Sequence, residues 1–262
     1  MALPLIQAPS LKKIPNLVHG FTTRQGGVSE GLFTSFNLGW ATGDDDDRVQ
    51  ENYQRLAEEI GVNHDRISGV RQVHSGEVKK VDEQTDLAGL MVVNADAMVT
   101  DLENVILSIR VADCFPILMI DVRHHAIGAI HAGWRGTLAQ VVPHTIETLK
   151  KEYGADPGEL IMVIGPGIGF AKFEVSLGVA SLFEGQMELT QGEYLETETS
   201  AYIDLAAINS KLARNHGIRP DRIWNSGLCT YSDQKRFYSY RRDGKHSGRQ
   251  VGFIGWALDQ AG

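Results

Sequence analysis

Residues 126–136 read AIGAIHAGWRG, a short apolar run that ends in a histidine and then turns through two glycines. The run Ala126–His131 has the length and apolar character of a buried strand. Helical spacing of apolar residues follows it, from Leu138 to Leu149, with the helix expected to begin near Thr137. A strand, a glycine turn and a helix in this order indicate an α/β architecture, and they place His131 at the end of a strand.

Other short apolar or alternating runs predict further strands. They are Val18–Thr23, Val105–Ala112, Pro116–Asp121, Leu160–Ile164 and Phe237–Arg241. Amphipathic spacing predicts helices over Arg48–Ile60 and around Leu205–Leu212, the second with Asp204 as its cap. Since no Pro/Ser-rich linker divides the chain, we expect one α/β (α+β) domain with mixed β-sheets over residues 1–262.

Composition narrows the class of protein. The chain has 262 residues, of which 42% are hydrophobic, so it can build a core. Its formal net charge of −8 disfavours nucleic acid and anionic membranes as partners. The sequence shows no signal-peptide pattern and no uninterrupted apolar stretch of membrane-spanning length. Two cysteines, Cys114 and Cys229, exclude a disulfide scaffold, and we expect a soluble cytoplasmic protein.

Three potential metal ligands lie at strand edges: His74, Cys114 and His131. They are too far apart for a local zinc-finger spacing, so only the fold could assemble them. Two histidines and one cysteine suit Zn²⁺, and three protein ligands with an open fourth position are typical of a catalytic zinc site. The alternative is ordinary: a buried cysteine often serves as a small apolar residue, and histidines at strand ends often lie in the core.

Two regions favour an anion or a purine. Backbone N–H groups of the turn after His131, together with Arg135, could bind phosphate, although an ordinary turn with Arg135 in an ion pair fits equally well. The segment Phe237–Arg242 combines aromatic rings with guanidinium groups. It could stack a purine, or it could form a half-buried strand with a basic edge. The sequence alone does not decide, for either region, between a binding site and an ordinary structural role.

Six segments in this order closely resemble the laccase-domain family, also called the peptidoglycan-editing factor or bacterial polyphenol oxidase family, whose members have been reassigned as purine nucleoside phosphorylases. They are His19-Gly20-Phe21-Thr22-Thr23-Arg24, Gln72-Val73-His74, Ala95–Thr100, Ala112–Pro116, His131–Gly136 and Phe237–Arg242. The sequence departs from the family at Gly167, where many members carry Cys, and at Ser247-Gly248-Arg249, where Thr-Gly-Arg is usual.

The resemblance implies a four-layer α/β/β/α fold and a metal, zinc or sometimes copper, at His74, Cys114 and His131. It also implies phosphorolysis of purine nucleosides, with adenosine deamination as a second activity. A zinc site with an open position can serve hydrolysis by activating water. We hypothesise that Asp113 orients a ligand or base, and that Arg24, Arg135 and His19 bind substrate or phosphate. The oligomeric state is left open.

Three alternatives remain. A copper-dependent polyphenol oxidase of the multicopper type needs roughly ten ligands, mostly His-X-His pairs, whereas this chain has nine histidines and no such pair. Cu²⁺ in a zinc site could still oxidise phenols as a side activity. Cys114 could act as the nucleophile of a hydrolase that edits peptidoglycan precursors. The chain could also be a non-enzymatic binding module stabilised by zinc.

Overall fold

A computed structural model describes residues 2–258. The strands are β1 Leu17–Phe21, β2 Ile67–Ser68, β3 Val78–Lys80, β4 Ala97–Thr100, β5 Val105–Val111, β6 Phe115–Asp121, β7 Ala126–Ala132, β8 Ile161–Ile164, β9 Glu174–Ser176, β10 Tyr194–Glu196, β11 Ser200–Ile203, β12 Ile223–Asn225 and β13 Gln250–Trp256. The α-helices are α1 Asp46–Ile60, α2 Trp134–Leu138, α3 Val141–Tyr153, α4 Leu177–Glu184, α5 Leu205–Asn215 and α6 Tyr240–Asp243. Short 3₁₀ helices cover Leu11–Lys13, Gly31–Phe33, His64–Arg66, Ala88–Val92, Phe170–Lys172, Pro220–Arg222 and Gly244–His246.

Two large mixed sheets form the centre of the fold. One has six strands in the order β12-β8-β6-β7-β4-β3, and the other has four in the order β1-β13-β5-β2. One core cluster contains Leu118 and Val163 of the first sheet with Leu107 and Ile254 of the second, so the two sheets pack face to face. A smaller sheet, β10-β11-β9, lies beside them.

Helices cover the outer faces of both large sheets. Ile146 of α3 and Ile208 of α5 pack in one cluster with residues of the six-stranded sheet. Val49 and Leu56 of α1 pack with Ile106 and other residues of the four-stranded sheet. The layers therefore follow the order α/β/β/α, which confirms the mixed-sheet α/β fold.

Local patterns explain where the main helices begin and end. Asp45 caps α1 by accepting a hydrogen bond from the Asp47 N–H, and Gly61 ends the helix in the left-handed conformation with φ of 71°. The Asp204 side chain caps α5 through the Ala207 N–H, as predicted. Within residues 2–258, no helix combines the length and the apolar composition needed to cross a lipid bilayer.

Two local predictions were wrong. The helix expected from near Thr137 is two helices, because the chain breaks at Gln140, where φ is 59°. The segment Phe237–Arg241 is not a strand. Its backbone is held by side chains instead of by a neighbouring strand: Gln250 Oε1 accepts from the Tyr238 N–H, and Gln250 Nε2 donates to the Tyr238 carbonyl. The helix α6 then begins at Tyr240.

Candidate metal centre and its cavity

The fold brings together the three predicted ligand residues. One nitrogen or sulfur atom from each of His74, Cys114 and His131 lies within 4.8 Å of the others. Cys114 Sγ is 3.9 Å from His74 Nε2. The two imidazole rings lie edge to face, with centroids 4.7 Å apart. This group could hold a metal ion.

Strand register and a glycine set this geometry. In the antiparallel β6–β7 pair, Pro116 lies opposite His131 and Phe115 lies opposite Ala132. Cys114 and Gly133, which extend this register by one position, therefore come next to each other. A Cβ on Gly133 would lie 2.7 Å from Cys114 Sγ and 3.1 Å from the His74 ring. Only glycine allows the backbone to approach so closely.

Asp96, just before β4, orients two of the three ligands. Its Oδ1 lies 2.8 Å from His131 Nδ1 and accepts from the His74 N–H at 2.9 Å. Its Oδ2 accepts from the Ser75 N–H at 2.6 Å. With Nδ1 held, His131 presents Nε2 to the other ligands. These bonds also fix the loop of His74, whose φ is 61°.

Asp96 was not among the predicted site residues, although it lies in Ala95–Thr100, one of the segments that resemble the family. A carboxylate at the start of a strand whose residues are all buried was the available signal.

The same contacts set the charges of the group. Burial by itself would raise the pKa of the Cys114 thiol, but the charge of His131 and hydrogen bonds from His131 and His74 lower it to about 6. Burial opposes protonation of His131, but Cys114 and Asp96 raise its pKa to about 9. Without a metal the pair therefore favours a thiolate next to an imidazolium. A thiolate is the form in which cysteine binds metals.

Asp113, predicted to orient a ligand or base, lines the cavity but makes no hydrogen bond to His74, Cys114 or His131 within residues 2–258. Its carboxylate accepts hydrogen bonds from Thr230 Oγ1 at 2.7 Å, Ser239 Oγ at 3.0 Å and the Arg241 N–H at 2.6 Å. Asp113 therefore holds the segment around α6 against the turn that carries Cys114.

A cavity lies next to His74, Cys114 and His131, which we call the metal-ligand group. Two of the predicted substrate-binding residues, Arg24 and His19, are not among the residues that line this cavity. Arg24 stacks on the Tyr238 ring, 4.5 Å from its centroid, and donates to the Thr34 carbonyl at 2.9 Å. His19 is 2% exposed, and its ring nitrogens have no hydrogen-bond partner among the described residues. Burial lowers the pKa of His19 to about 4.

The metal-ligand group opens into a cavity of about 950 Å³. Aromatic side chains line part of it: Trp40, Trp134, Phe173 and Tyr240. Five arginines also line it: Arg71, Arg110, Arg135, Arg241 and Arg249. Of these, only Arg135 was predicted as an anion-binding residue. It is exposed, and its guanidinium lies 4.2 Å from the centre of the Trp134 ring.

The volume falls within the range of small-molecule sites. Aromatic faces suit a purine, and arginines suit phosphate.

Comparison with known proteins places this geometry in a family. The family model described as "Multi-copper polyphenol oxidoreductase laccase" matches residues 18–257. A protein of Deinococcus radiodurans named purine nucleoside phosphorylase is 38% identical over 97% of this chain and 93% of its own length. A Bacteroides thetaiotaomicron protein with the same name is 34% identical over 92% of each chain.

Solved structures agree. The crystal structure of YlmD from Geobacillus stearothermophilus superposes with a TM-score of 0.87 at 30% identity, covering 95% of this chain and 94% of that one. That of a Bacillus licheniformis hypothetical protein YfiH gives a TM-score of 0.88 at 29% identity, over 93% and 94% of the two chains. The chain therefore belongs to the laccase-domain family, the multi-copper polyphenol oxidoreductase laccase family.

Proposed function

We propose that this protein is a zinc-dependent purine nucleoside phosphorylase. It would convert adenosine, inosine or methylthioadenosine and phosphate into the free base and the corresponding sugar 1-phosphate, and it would also deaminate adenosine. The names of the relatives support phosphorolysis. The observation that carries the proposal is the juxtaposition of the His74, Cys114 and His131 group with a cavity lined by aromatic rings and arginines.

The ligand group fits Zn²⁺. Bonds of about 2.0–2.3 Å in a tetrahedral site require ligand atoms about 3.3–3.6 Å apart, and the Cys114 to His74 separation of 3.9 Å is close to that. The hydrogen bond from His131 to Asp96 is the carboxylate–histidine pair that commonly supports zinc. Bound here with an open position, zinc would supply Lewis acidity to the reaction.

The reaction balances without a redox partner. A phosphate oxygen forms a bond to C1′ of the ribose while the bond from C1′ to N9 breaks, and the electron pair of that bond goes to the purine, which takes up a proton. Aromatic side chains of the cavity would stack the base, and cavity arginines would hold the phosphate.

We propose zinc over copper because the described histidines form no set for a multicopper centre. We also propose a cytoplasmic location, since both thiols are free.

The test is to incubate protein of defined metal content with adenosine, with and without phosphate, and to identify the products by chromatography. Phosphate-dependent adenine and ribose 1-phosphate would support phosphorolysis, and inosine would support deamination. The absence of all three products with zinc restored would reject both activities.

Controls separate the alternatives. C114S should lose activity, while C229S, a matched change at a thiol outside the cavity, should keep it. A hydrolase that uses Cys114 as its nucleophile would work without metal. A binding module would lose only thermal stability when metal is removed.

A further inference from the structure

Two of the five cavity arginines differ from the others in burial. Arg110 and Arg249 are half-buried, whereas the other three, Arg71, Arg135 and Arg241, are exposed. A half-buried guanidinium loses part of its hydration and needs another partner for its charge.

Neither of the two arginines has a carboxylate partner within residues 2–258. The ion-paired arginines of this part of the chain all lie outside the cavity: Arg48, Arg55, Arg219, Arg222, Arg236 and Arg242. The two carboxylates that line the cavity are engaged elsewhere, Asp113 as described and Glu174 with the Ser200 hydroxyl at 2.6 Å. In an acidic chain, two cavity arginines without a carboxylate in ion-pair contact indicate a site for an external anion.

Strand register places both side chains on one face of the four-stranded sheet. Arg110 lies opposite Val251 in the β5–β13 pair. Arg249 precedes Val251 by two residues, so it points to the same side. Such diagonal neighbours have their backbones about 7–8 Å apart. Both arginines line the same cavity as His74, Cys114 and His131. Burial lowers the pKa of Arg249 against the opposing charges of Cys114, Tyr240 and Asp113, and the Arg110 cation adds to the lowering.

Hydrogen bonds to backbone carbonyls hold both guanidinium groups in place. Arg249 donates to the carbonyls of Ser247 and Gly248, and its backbone N–H donates to Asn37 Oδ1 at 2.8 Å. Arg110 donates to the Val70 carbonyl at 2.6 Å and to Met91 Sδ at 3.2 Å. Each guanidinium has more N–H groups than these bonds use. The remaining donors are available to an oxyanion in the cavity.

We propose that Arg110 and Arg249 form the phosphate subsite of this cavity and take inorganic phosphate as their ligand, in preference to Arg135 at the start of α2. This inference rests on the proposed function, because it names the residues that bind its co-substrate. Two planar guanidinium forks fit the oxygens of a tetrahedral dianion. Arg135 is exposed and stacked on an indole, and within residues 2–258 its guanidinium has no hydrogen bond to a backbone carbonyl like those of the other two.

Titration calorimetry of the zinc-loaded protein with inorganic phosphate alone tests this assignment. We expect R249Q and R110Q each to weaken phosphate binding by at least about tenfold, the usual range for a lost charge-assisted hydrogen bond. R135Q should stay within about threefold of the unchanged protein. R214Q, at an exposed arginine of α5 outside the cavity, is the matched control and should bind phosphate normally. An unchanged zinc content shows that a variant is folded.

A loss of binding in R135Q with retention in R249Q and R110Q would overturn the assignment. So would tight binding of adenosine 5′-monophosphate without binding of inorganic phosphate, since the subsite would then serve a nucleotide. Failure of the proposed function looks different: phosphate would bind through Arg110 and Arg249, yet adenosine and phosphate would give no ribose 1-phosphate. Where phosphorolysis does occur, R249Q should raise the KM for phosphate far more than the KM for the nucleoside.

Discussion

Replacement of Asp96 by Asn should weaken zinc binding without changing any ligand. Asp96 is fully buried, and its two carboxylate oxygens together accept five hydrogen bonds. Oδ1 faces His131 Nδ1 and the His74 N–H, and Oδ2 faces the Val73 N–H and both donors of Ser75. An asparagine offers one acceptor oxygen, so its NH₂ group must face donors on one side.

The magnitude follows from these bonds. Changes to residues that orient a metal-bound histidine weaken metal affinity about 10–100-fold, or roughly 1.4–2.7 kcal/mol. Because hydrogen bonds to a charged group each contribute about 1.5–3 kcal/mol, the metal-free variant should also unfold more easily, by a few kcal/mol. Competition for zinc with a chromogenic chelator measures the affinity, and urea denaturation measures the free energy of unfolding.

Asp121 supplies a matched control. It is 2% exposed, lies at the end of β6, and accepts from His124 Nδ1 at 2.8 Å, a carboxylate–histidine pair outside the cavity. D121N should lower stability while leaving zinc affinity unchanged. If D96N bound zinc as tightly as the unchanged protein, Asp96 would have no part in orienting the ligand residues.

Three further predictions concern the thiols and a buried histidine. C114S should lose its stoichiometric zinc in elemental analysis while C229S retains it; one tightly bound zinc in C114S would remove Cys114 from the ligand set. Since the pKa of Cys114 is about 6, iodoacetamide should alkylate it at pH 7 in metal-free protein, with protection by zinc; peptide mapping that finds Cys229 modified first would contradict this. His19 has its pKa lowered from 6.5 to about 4, so the unfolded state binds its proton first. The free energy of unfolding should therefore fall as pH drops from about 6.5 to 4, by up to about 3 kcal/mol. A histidine titration seen by NMR near pH 6.5 for His19 would exclude this.

Local sequence patterns predicted those parts of the fold that depend on neighbouring residues. The predicted strands other than Phe237–Arg241 are present, as are the helices with clear amphipathic spacing. The strand β13 was missed because its pattern includes Gly252 and Gly255. Those glycines are required by other elements: a Cβ on Gly252 would lie 2.7 Å from Pro116, and one on Gly255 would lie 2.2 Å from Ile106. Such requirements are not visible in the strand itself.

In the candidate site too, local patterns identified some residues, whereas others depend on contacts with distant parts of the chain. The three ligand residues could be found, because histidines and a cysteine at strand edges are unusual and lie in recognisable segments. The hydrogen bonds of Asp113 could not be predicted, because its partners Thr230 and Ser239 are more than 100 residues away in the sequence. Arg24 was predicted to bind an anion, but its guanidinium stacks on the Tyr238 ring and donates a hydrogen bond to the Thr34 carbonyl. Which polar residues point into a cavity is decided by long-range packing.

We propose that the group formed by His74, Cys114 and His131 is required for phosphorolysis of purine nucleosides. ³¹P NMR of the protein with inosine and inorganic phosphate can test this requirement, with zinc-loaded, metal-stripped and zinc-restored samples compared. We predict that a ribose 1-phosphate signal grows with the loaded protein, stops when zinc is removed and returns when zinc is restored. Equal rates of ribose 1-phosphate formation with and without zinc, or no sugar phosphate in any sample, would contradict the claim.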